Sequence, residues 1–290
     1  MSTSKPVHHR ILLTRMKFIG DVVLTTPVIR SVRNAFPDAH IAYMGDKNAV
    51  SLLEHNPNLN EILPFDFSKP TLLEQPRIAH LLRRRKFDLA IDLFGNPRSA
   101  LLTYLSGATT RVGPARRSRG RFYTIQVRDD GKLKTAIDFH NQYIKAAGIE
   151  PTSCNTEIFL TDDEKREATI YLGGLLSEGY SLDKSKPIVG IHPGATWPAK
   201  RWLPEHFAEL VDLIAKRFGA HVIFTAGPND EEVLAAVERQ TSARVRIVKN
   251  LPLRMLAAVL SQCSAYVAND NGTMHIAVAV GTPLSFVPYD

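Results

Sequence analysis

The sequence IVGIHPGATWPAKRW, residues 188–202, decides the fold class of this chain. Its first four residues are apolar and predict a buried strand, and the residues after Trp202 have the period of an amphipathic helix. AYVANDNGTMH, residues 265–275, repeats the order of strand, polar turn and helix. A turn that delivers small and hydroxyl residues to a helix N-terminus presents free backbone N–H groups, which favour phosphate. The two stretches therefore predict a nucleotide-binding half-domain of an α/β protein.

Strands and helices alternate along the rest of the chain in the same way. Alternation of this kind predicts parallel sheets covered by helices on both faces. Strands are predicted at residues 10–15, 41–45, 61–65, 88–94, 111–113, 188–192, 221–227, 245–249 and 265–270. Helices are predicted at residues 21–36, 72–86, 135–147 and 162–177, and from near residues 204, 229, 252 and 273.

A polar stretch with Gly, Ser and Pro, residues 179–187, predicts a linker between two domains. The predicted domains are residues 1–180 and residues 181–290, two Rossmann-like units that face each other across a cleft. Residues 283–290, PLSFVPYD, predict a strand that enters a loop, with no closing helix after it. The second domain is therefore expected to have about five strands and to be short at its C-terminus, as in a truncated or atypical sequence.

The composition limits the partners and the compartment. The chain has 290 residues, 44% of them hydrophobic, and a net charge of +7, which favours an anionic partner. Residues 77–134 hold 14 Lys or Arg against four Asp, which suits nucleic acid, an acidic membrane surface, a phosphorylated glycan or simply a solvated face. Cys154 and Cys263 have no ligand spacing and are expected to be buried thiols in a reducing compartment. No signal peptide or membrane span is found, so a cytoplasmic location is expected.

Three motifs in order resemble one enzyme family. They are MKFIGDVVLTTPVIRSVRNAFPDAHI (residues 16–41), HPGATWPAKRWLPEHFAEL (192–210) and NDNGTMHIAVAVGTP (269–283). Together they are similar to the ADP-heptose:lipopolysaccharide heptosyltransferases of glycosyltransferase family 9. The resemblance implies the two-Rossmann GT-B fold, an inverting transfer from ADP-heptose with neither metal nor cofactor, and an acceptor in the lipopolysaccharide inner core. Peripheral contact with the inner face of the cytoplasmic membrane is expected from the basic patch of residues 77–134.

The chain departs from the family in two places. Asn271 stands where the family usually has the Thr of D-T-G-x-x-H, and its amide can still contact phosphate or ribose through a hydrogen bond. The C-terminal stretch that completes the second domain in the family has no counterpart before Asp290, which puts stability and hinge control in question.

The acceptor side of the reaction needs a base that takes the proton of the attacking hydroxyl. By resemblance the family's catalytic Asp is Asp21, and Gly20 leaves the backbone room for a tight turn beside the acceptor. The alternative is that Asp21 only caps the following helix. The loop of residues 111–123 has five Arg and no acid, and Arg116, Arg117 and Arg119 are the predicted acceptor ligands. Contact of this loop with anionic lipid is the competing interpretation.

The donor side needs groups that stabilise the leaving diphosphate. The resemblance assigns this role to Thr196 and Lys200; a cation near a helix N-terminus is unfavourable unless it binds an anion, although it can also be an ordinary surface charge. The other predicted donor ligands are Asp270, Asn271, Gly272 and His275, and, at the ribose, Asp230 or Glu231. His275 as a core histidine, and the two acids as ordinary helix-start residues, remain alternatives, while a metal site at Asp270 and His275 lacks further ligands.

Four functions are weighed on these residues. The first is a heptosyltransferase, and the second is a related glycosyltransferase that uses another nucleotide sugar. The third, a nucleic-acid-binding protein, has no supporting RNA- or DNA-binding motif. The fourth is an inactive, truncated paralogue.

Overall fold

A computed structural model describes residues 8–116, 118–177 and 185–287 and divides the chain into two compact units. Unit 1 is Met1–Thr156 and unit 2 is Glu157–Asp290, whereas the sequence placed the boundary between residues 180 and 181. Most of the predicted linker lies outside the described residues.

The earlier boundary follows from the contacts of one helix. Helix 162–177 packs against helix 253–260 of unit 2, and Arg254 donates to Glu164 Oε2 at 2.6 Å and to the Phe159 carbonyl at 2.8 Å. The hydrogen bond to the Arg254 guanidinium lowers the pKa of Glu164 to about 2. The helix is thus fastened to unit 2 by a charged pair as well as by apolar packing.

Unit 1 is a six-stranded parallel sheet in the order β3-β2-β1-β4-β5-β6. Its strands are β1 Arg10–Arg15, β2 His40–Asp46, β3 Glu61–Phe65, β4 Leu89–Asp92, β5 Thr110–Pro114 and β6 Ile125–Val127. Its helices are α1 Ile19–Val23, α2 Thr26–Ala35, α3 Thr71–Arg84, α4 Pro97–Leu105 and α5 Ala136–Ala146. Alternate residues of β1 serve opposite faces: Ile11 and Leu13 join one core cluster, and Leu12 joins another, together with Met16 just after the strand.

The prediction of one continuous helix over residues 21–36 is wrong. The structure has two helices with a break at Leu24 and Thr25. The hydroxyl of Thr25 donates to the Val22 carbonyl at 2.7 Å, and the hydroxyl of Thr26 donates to the Val23 carbonyl at 2.8 Å. Pro27 has no N–H to donate to the Val23 carbonyl four residues earlier, and the Thr26 hydroxyl takes that place.

Unit 2 is a five-stranded parallel sheet in the order β11-β10-β7-β8-β9, as many strands as predicted. Its strands are β7 Ile188–His192, β8 His221–Ala226, β9 Val245–Lys249, β10 Ala265–Ala268 and β11 Leu284–Phe286. Its helices are α6 Asp162–Ser177, α7 Pro204–Phe218, α8 Glu231–Glu238, α9 Leu253–Leu260 and α10 Gly272–Ala279. Because β7 and β10 are neighbours, the polar turns that follow them lie at one edge of the sheet.

Two further expectations can be compared with the structure. No helix in the described ranges is long and apolar enough to cross a bilayer. Both cysteines are free thiols; Cys263 is buried as expected, whereas the expected burial of Cys154 is wrong, because its side chain is exposed. Burial raises the pKa of the Cys263 thiol to about 12, so it stays protonated and behaves as a core residue.

Candidate functional site

The turn after β7 is held in place by Asn269, a residue that the sequence did not single out. Asn269 is fully buried; its amide nitrogen donates to the Pro193 carbonyl at 2.7 Å, and its Oδ1 accepts the Trp202 N–H at 3.1 Å. Arg201 Nε also donates to the Ala195 carbonyl at 2.8 Å. The first motif is therefore tied at both of its ends to the start of the second, and Thr196 is exposed between them.

Lys200 and Asp270 are brought together by the adjacency of β7 and β10. Lys200 is the last residue of a short 3-10 turn, Pro198–Lys200, and its Nζ contacts Asp270 Oδ2. Their side chains are 36% and 28% exposed, so the pair is open to a ligand from solvent. Two predicted donor residues from separate motifs thus share one place on the sheet edge.

Asn271 caps α10 and is engaged on both sides. Its Oδ1 accepts the Met274 N–H at 3.0 Å and the Thr273 hydroxyl at 2.7 Å, and its Nδ2 donates to the Gly194 carbonyl at 3.1 Å. Gly272 is the first residue of α10, where backbone N–H groups have no intrahelical acceptor. His275 follows in the first turn and is half-buried. The Asn found in place of the family Thr therefore serves as helix cap and as a link to the first motif.

Asp230 and Glu231 lie in contrasting surroundings at the start of α8. Asp230 is 8% exposed; its Oδ2 accepts the Gly227 N–H at 2.7 Å and lies 3.4 Å from His192 Nε2. Glu231 is 79% exposed and its Oε1 lies 3.6 Å from Lys249 Nζ. Of the two predicted ribose acids, Glu231 is the one that solvent reaches.

Asp21 is the third residue of α1 in unit 1, and its carboxylate is 29% exposed. Its Oδ1 lies 2.8 Å from Arg15 Nη2, and its Oδ2 accepts the Phe18 N–H at 3.3 Å. The guanidinium of Arg15 lies over the Phe94 ring at 4.5 Å from its centroid. Asp21 therefore makes a contact at the helix start, as the capping alternative expects, and remains open to a small hydroxyl group. Gly20, beside it, is buried.

The predicted acceptor arginines are only partly described. Arg116 is exposed, and its carbonyl accepts the N–H groups of Arg119 at 3.0 Å and Gly120 at 2.7 Å, so the loop closes as a tight turn. Arg119 is half-buried, and its Nε has no hydrogen-bond partner. Arg117 lies outside the described residues.

Unit 1 has a cationic groove that the sequence did not predict. It has a volume of about 740 Å³ and lies beyond the carboxyl ends of β1, β3 and β4. Lys17 Nζ lies 4.4 Å from the Phe67 ring centroid, and the Arg98 guanidinium lies 5.2 Å from the same centroid. Among the described residues, no carboxylate forms an ion pair with either cation. In the sequence, each of the two cations follows the end of a buried strand by a few residues, and this position could have indicated the groove. We call this surface the Lys17–Arg98 groove.

A buried acid holds the start of α4, which carries Arg98. Asp92, at the end of β4, is fully buried; it accepts the N–H of Gly95 at 2.9 Å and the hydroxyls of Ser99 and Tyr123, each at 2.7 Å. Burial raises the pKa of Asp92, and the four donors, Phe94 N–H included, oppose that shift. The start of α4 is therefore fixed from inside the sheet, which gives the groove a rigid wall.

The chain is similar to known proteins of one family. The sequence profile of glycosyltransferase family 9 (heptosyltransferase) matches residues 76–285. Lipopolysaccharide heptosyltransferase 2 of Salmonella typhimurium is 27% identical over 290 residues, with 95% of this chain and 81% of the relative covered. Lipopolysaccharide heptosyltransferase 3 of Escherichia coli K12 is 26% identical, with 93% and 79% covered.

Solved structures give the same result. A glycosyltransferase family 9 protein from Veillonella parvula superposes with a TM-score of 0.87 at 27% identity, covering 98% of this chain and 81% of that one. The ADP-heptose lps heptosyltransferase II of E. coli superposes with a TM-score of 0.77 at 25% identity, covering 96% and 84%. These likenesses confirm the predicted GT-B fold class.

Proposed function

Because this chain belongs to glycosyltransferase family 9, the heptosyltransferase family, we propose that it transfers a heptose from ADP-heptose to an anionic sugar of the lipopolysaccharide inner core, with inversion and without a metal ion. The observation that carries the proposal is the Lys200–Asp270 pair, which joins the two donor motifs beside the N-terminus of α10. A cation and free backbone N–H groups at one sheet edge suit a diphosphate.

The proposed reaction assigns one step to each unit. The Asp21 carboxylate of unit 1 accepts the proton of the acceptor hydroxyl while the hydroxyl oxygen attacks the anomeric carbon. The bond from that carbon to the diphosphate breaks, and ADP leaves with the electron pair. Lys200 of unit 2 stabilises the growing negative charge on the leaving oxygen. Thr196, exposed next to it, donates its hydroxyl to the same diphosphate, and Glu231 binds the ribose hydroxyls.

The acceptor is proposed to bind through its negative groups. The inner-core sugars carry phosphate and carboxylate groups, and the Lys17–Arg98 groove offers two cations without carboxylate partners among the described residues. Arg guanidinium groups match the geometry of both anions. Since such an acceptor is anchored in lipid, we place the reaction at the inner face of the cytoplasmic membrane.

Calorimetry and turnover test this proposal together. We expect the purified protein to bind ADP-heptose more tightly than UDP- or GDP-linked sugars, and to release ADP when an inner-core acceptor is added. Preference for another nucleotide sugar would favour the second function, a glycosyltransferase with a different donor. Binding of ADP-heptose without release of ADP would favour the inactive paralogue, the other alternative.

The groove and the arginine loop give separate expectations for acceptor binding. We expect Arg98→Ala to raise the acceptor KM about 10-fold, the loss of one charge-assisted hydrogen bond, and to leave the donor KM unchanged. The increase should become smaller at high salt, because screening weakens the wild-type contact. Arg116→Ala is the matched variant in the loop. A rise in acceptor KM for Arg116→Ala alone would place the acceptor at residues 116–119 and contradict the groove.

A further inference from the structure

A chain of hydrogen bonds runs beneath the donor motifs of unit 2, from Asn271 to His192, and the His192 ring faces Asp230. Its inner members are side chains that solvent scarcely reaches, on β7, β8 and β10. The heavy-atom distances are 2.7 Å from Thr273 Oγ1 to Asn271 Oδ1, 2.9 Å from Tyr266 OH to Thr273 Oγ1, 2.6 Å from Thr225 Oγ1 to Tyr266 OH, and 2.9 Å from His192 Nδ1 to Thr225 Oγ1.

The direction of every bond in this chain follows from Asn271. The orientation of its amide is fixed by two backbone groups, because Nδ2 meets the Gly194 carbonyl and Oδ1 meets the Met274 N–H. Oδ1 can only accept, so the single hydroxyl proton of Thr273 points to it. Tyr266 must then donate to Thr273, and Thr225 must donate to Tyr266.

The remaining acceptor site of Thr225 determines the tautomer of His192. Since the Thr225 proton is already used, Thr225 Oγ1 accepts from His192, and His192 therefore carries a proton on Nδ1. Its Nε2 faces Asp230 Oδ2 at 3.4 Å, with both side chains nearly enclosed. A proton on Nε2 makes this contact attractive; burial lowers the pKa of His192, and the Asp230 carboxylate opposes that shift.

Asp230 contacts two glycine turns, the one after β7 at Gly194 and the one after β8 at Gly227. Its Oδ2 accepts the Gly227 N–H, and its carboxylate lies so close to Gly194 that a β-carbon added there would overlap it. The Gly194 carbonyl in turn accepts from Asn271. The hydrogen-bonded chain, the His192–Asp230 contact and the packing of Asp230 against Gly194 together connect the turns after β7, β8 and β10.

We propose that His192 is a positioning residue of the donor site, which holds Asp230 and through it the Gly194 and Gly227 turns at the spacing that the nucleotide diphosphate requires. The inference rests on the proposed function, because it assigns these turns to the donor. Asp230 acts through the two turns and does not contact the nucleotide. Lys200 and Asp21 do the chemistry, so the effect of His192 falls on donor binding.

Two substitutions of His192 test the roles of its two ring nitrogens separately. In His192→Asn, the side-chain amide places an N–H at the position of Nδ1, and the contact with Asp230 is lost. In His192→Gln, the longer side chain places an N–H at the position of Nε2 and can reach Asp230. We expect His192→Asn to raise the donor KM about 10-fold with kcat changed less than 3-fold. We expect His192→Gln to restore the donor KM to within 3-fold of wild type. Equal donor KM values for the two variants, or a loss confined to kcat, would overturn the proposal.

A spectroscopic measurement checks the proton direction without any turnover. In protein labelled with ¹⁵N-histidine, we expect His192 to carry its proton on Nδ1, assigned by comparison with the His192→Gln spectrum. Thr225→Val removes the acceptor of that proton, and the Nδ1–H signal should shift or disappear. A wild-type His192 with an unprotonated Nδ1 would refute the chain of donors. If wild type binds no ADP-heptose but shows the Nδ1 proton, the proposed function fails and the geometry of the pair stands.

Discussion

Asp21→Asn is expected to lower kcat by about 10²- to 10⁴-fold, the range that general-base catalysis contributes. The amide keeps the size of the carboxylate and can still accept the Phe18 N–H, but it cannot take a proton from the acceptor hydroxyl. Donor binding should be unchanged, because Asp21 belongs to unit 1 and the donor motifs belong to unit 2. Single-turnover kinetics with saturating donor, together with calorimetry of donor binding, measure both quantities.

A matched control and a conservative variant sharpen this result. Asp38→Asn removes an exposed carboxylate of the same unit and should leave kcat within 2-fold of wild type. Asp21→Glu keeps a base but moves it, and should fall between wild type and Asp21→Asn. Full activity of Asp21→Asn would show that Asp21 serves only as the helix-start contact with Phe18 and Arg15.

Lys200→Met is expected to lower kcat by about 10²-fold, in the range found when one group that stabilises transition-state charge is removed. Met keeps most of the aliphatic stem of Lys and removes the charge. The loss should appear in kcat more than in the donor KM, because the diphosphate gains charge only as the sugar bond breaks. Lys216→Met, at an exposed position near the end of α7, is the control and should have no effect.

Asp270, which contacts Lys200, also affects the Lys200→Met variant, and its effect on the donor KM can be measured. Without Lys200, the Asp270 carboxylate loses its cationic partner and repels the incoming diphosphate. The double variant Lys200→Met with Asp270→Asn removes this repulsion, so its donor KM should lie below that of Lys200→Met. Its kcat should stay low. A donor KM that rises at constant kcat in Lys200→Met would mean that Lys200 binds the ground state and the transition state equally well.

Local patterns in the sequence account for much of the secondary structure. The predicted strands 10–15, 61–65, 188–192 and 245–249 agree with the observed strands in both bounds. Other elements were missed. Helix α4 depends on Asn96, whose side chain caps it through Ser99 N–H at 2.7 Å, and β6 has only three residues, too few to show a period.

The family resemblance gave the site its candidate residues but not their surroundings. Asp230 and Glu231 are adjacent in sequence and similar in chemistry, and the structure encloses the first and exposes the second. Likewise, nothing near Asn271 in sequence shows that its amide is taken up by Gly194, which is 77 residues away. The Lys17–Arg98 groove was missed for the same reason, since its aromatic floor comes from β3 and the loop after it.

The sequence by itself determined the α/β class, the nucleotide-binding turns and the family, because strand periodicity, helix starts and short motifs are properties of neighbouring residues. Only the tertiary structure decided which of these residues meet. Lys200 contacts Asp270, and His192 faces Asp230, because crossover helices return the chain so that β7 lies between β8 and β10. The order of strands in a sheet is set by the packing of the whole unit, and no local pattern encodes it.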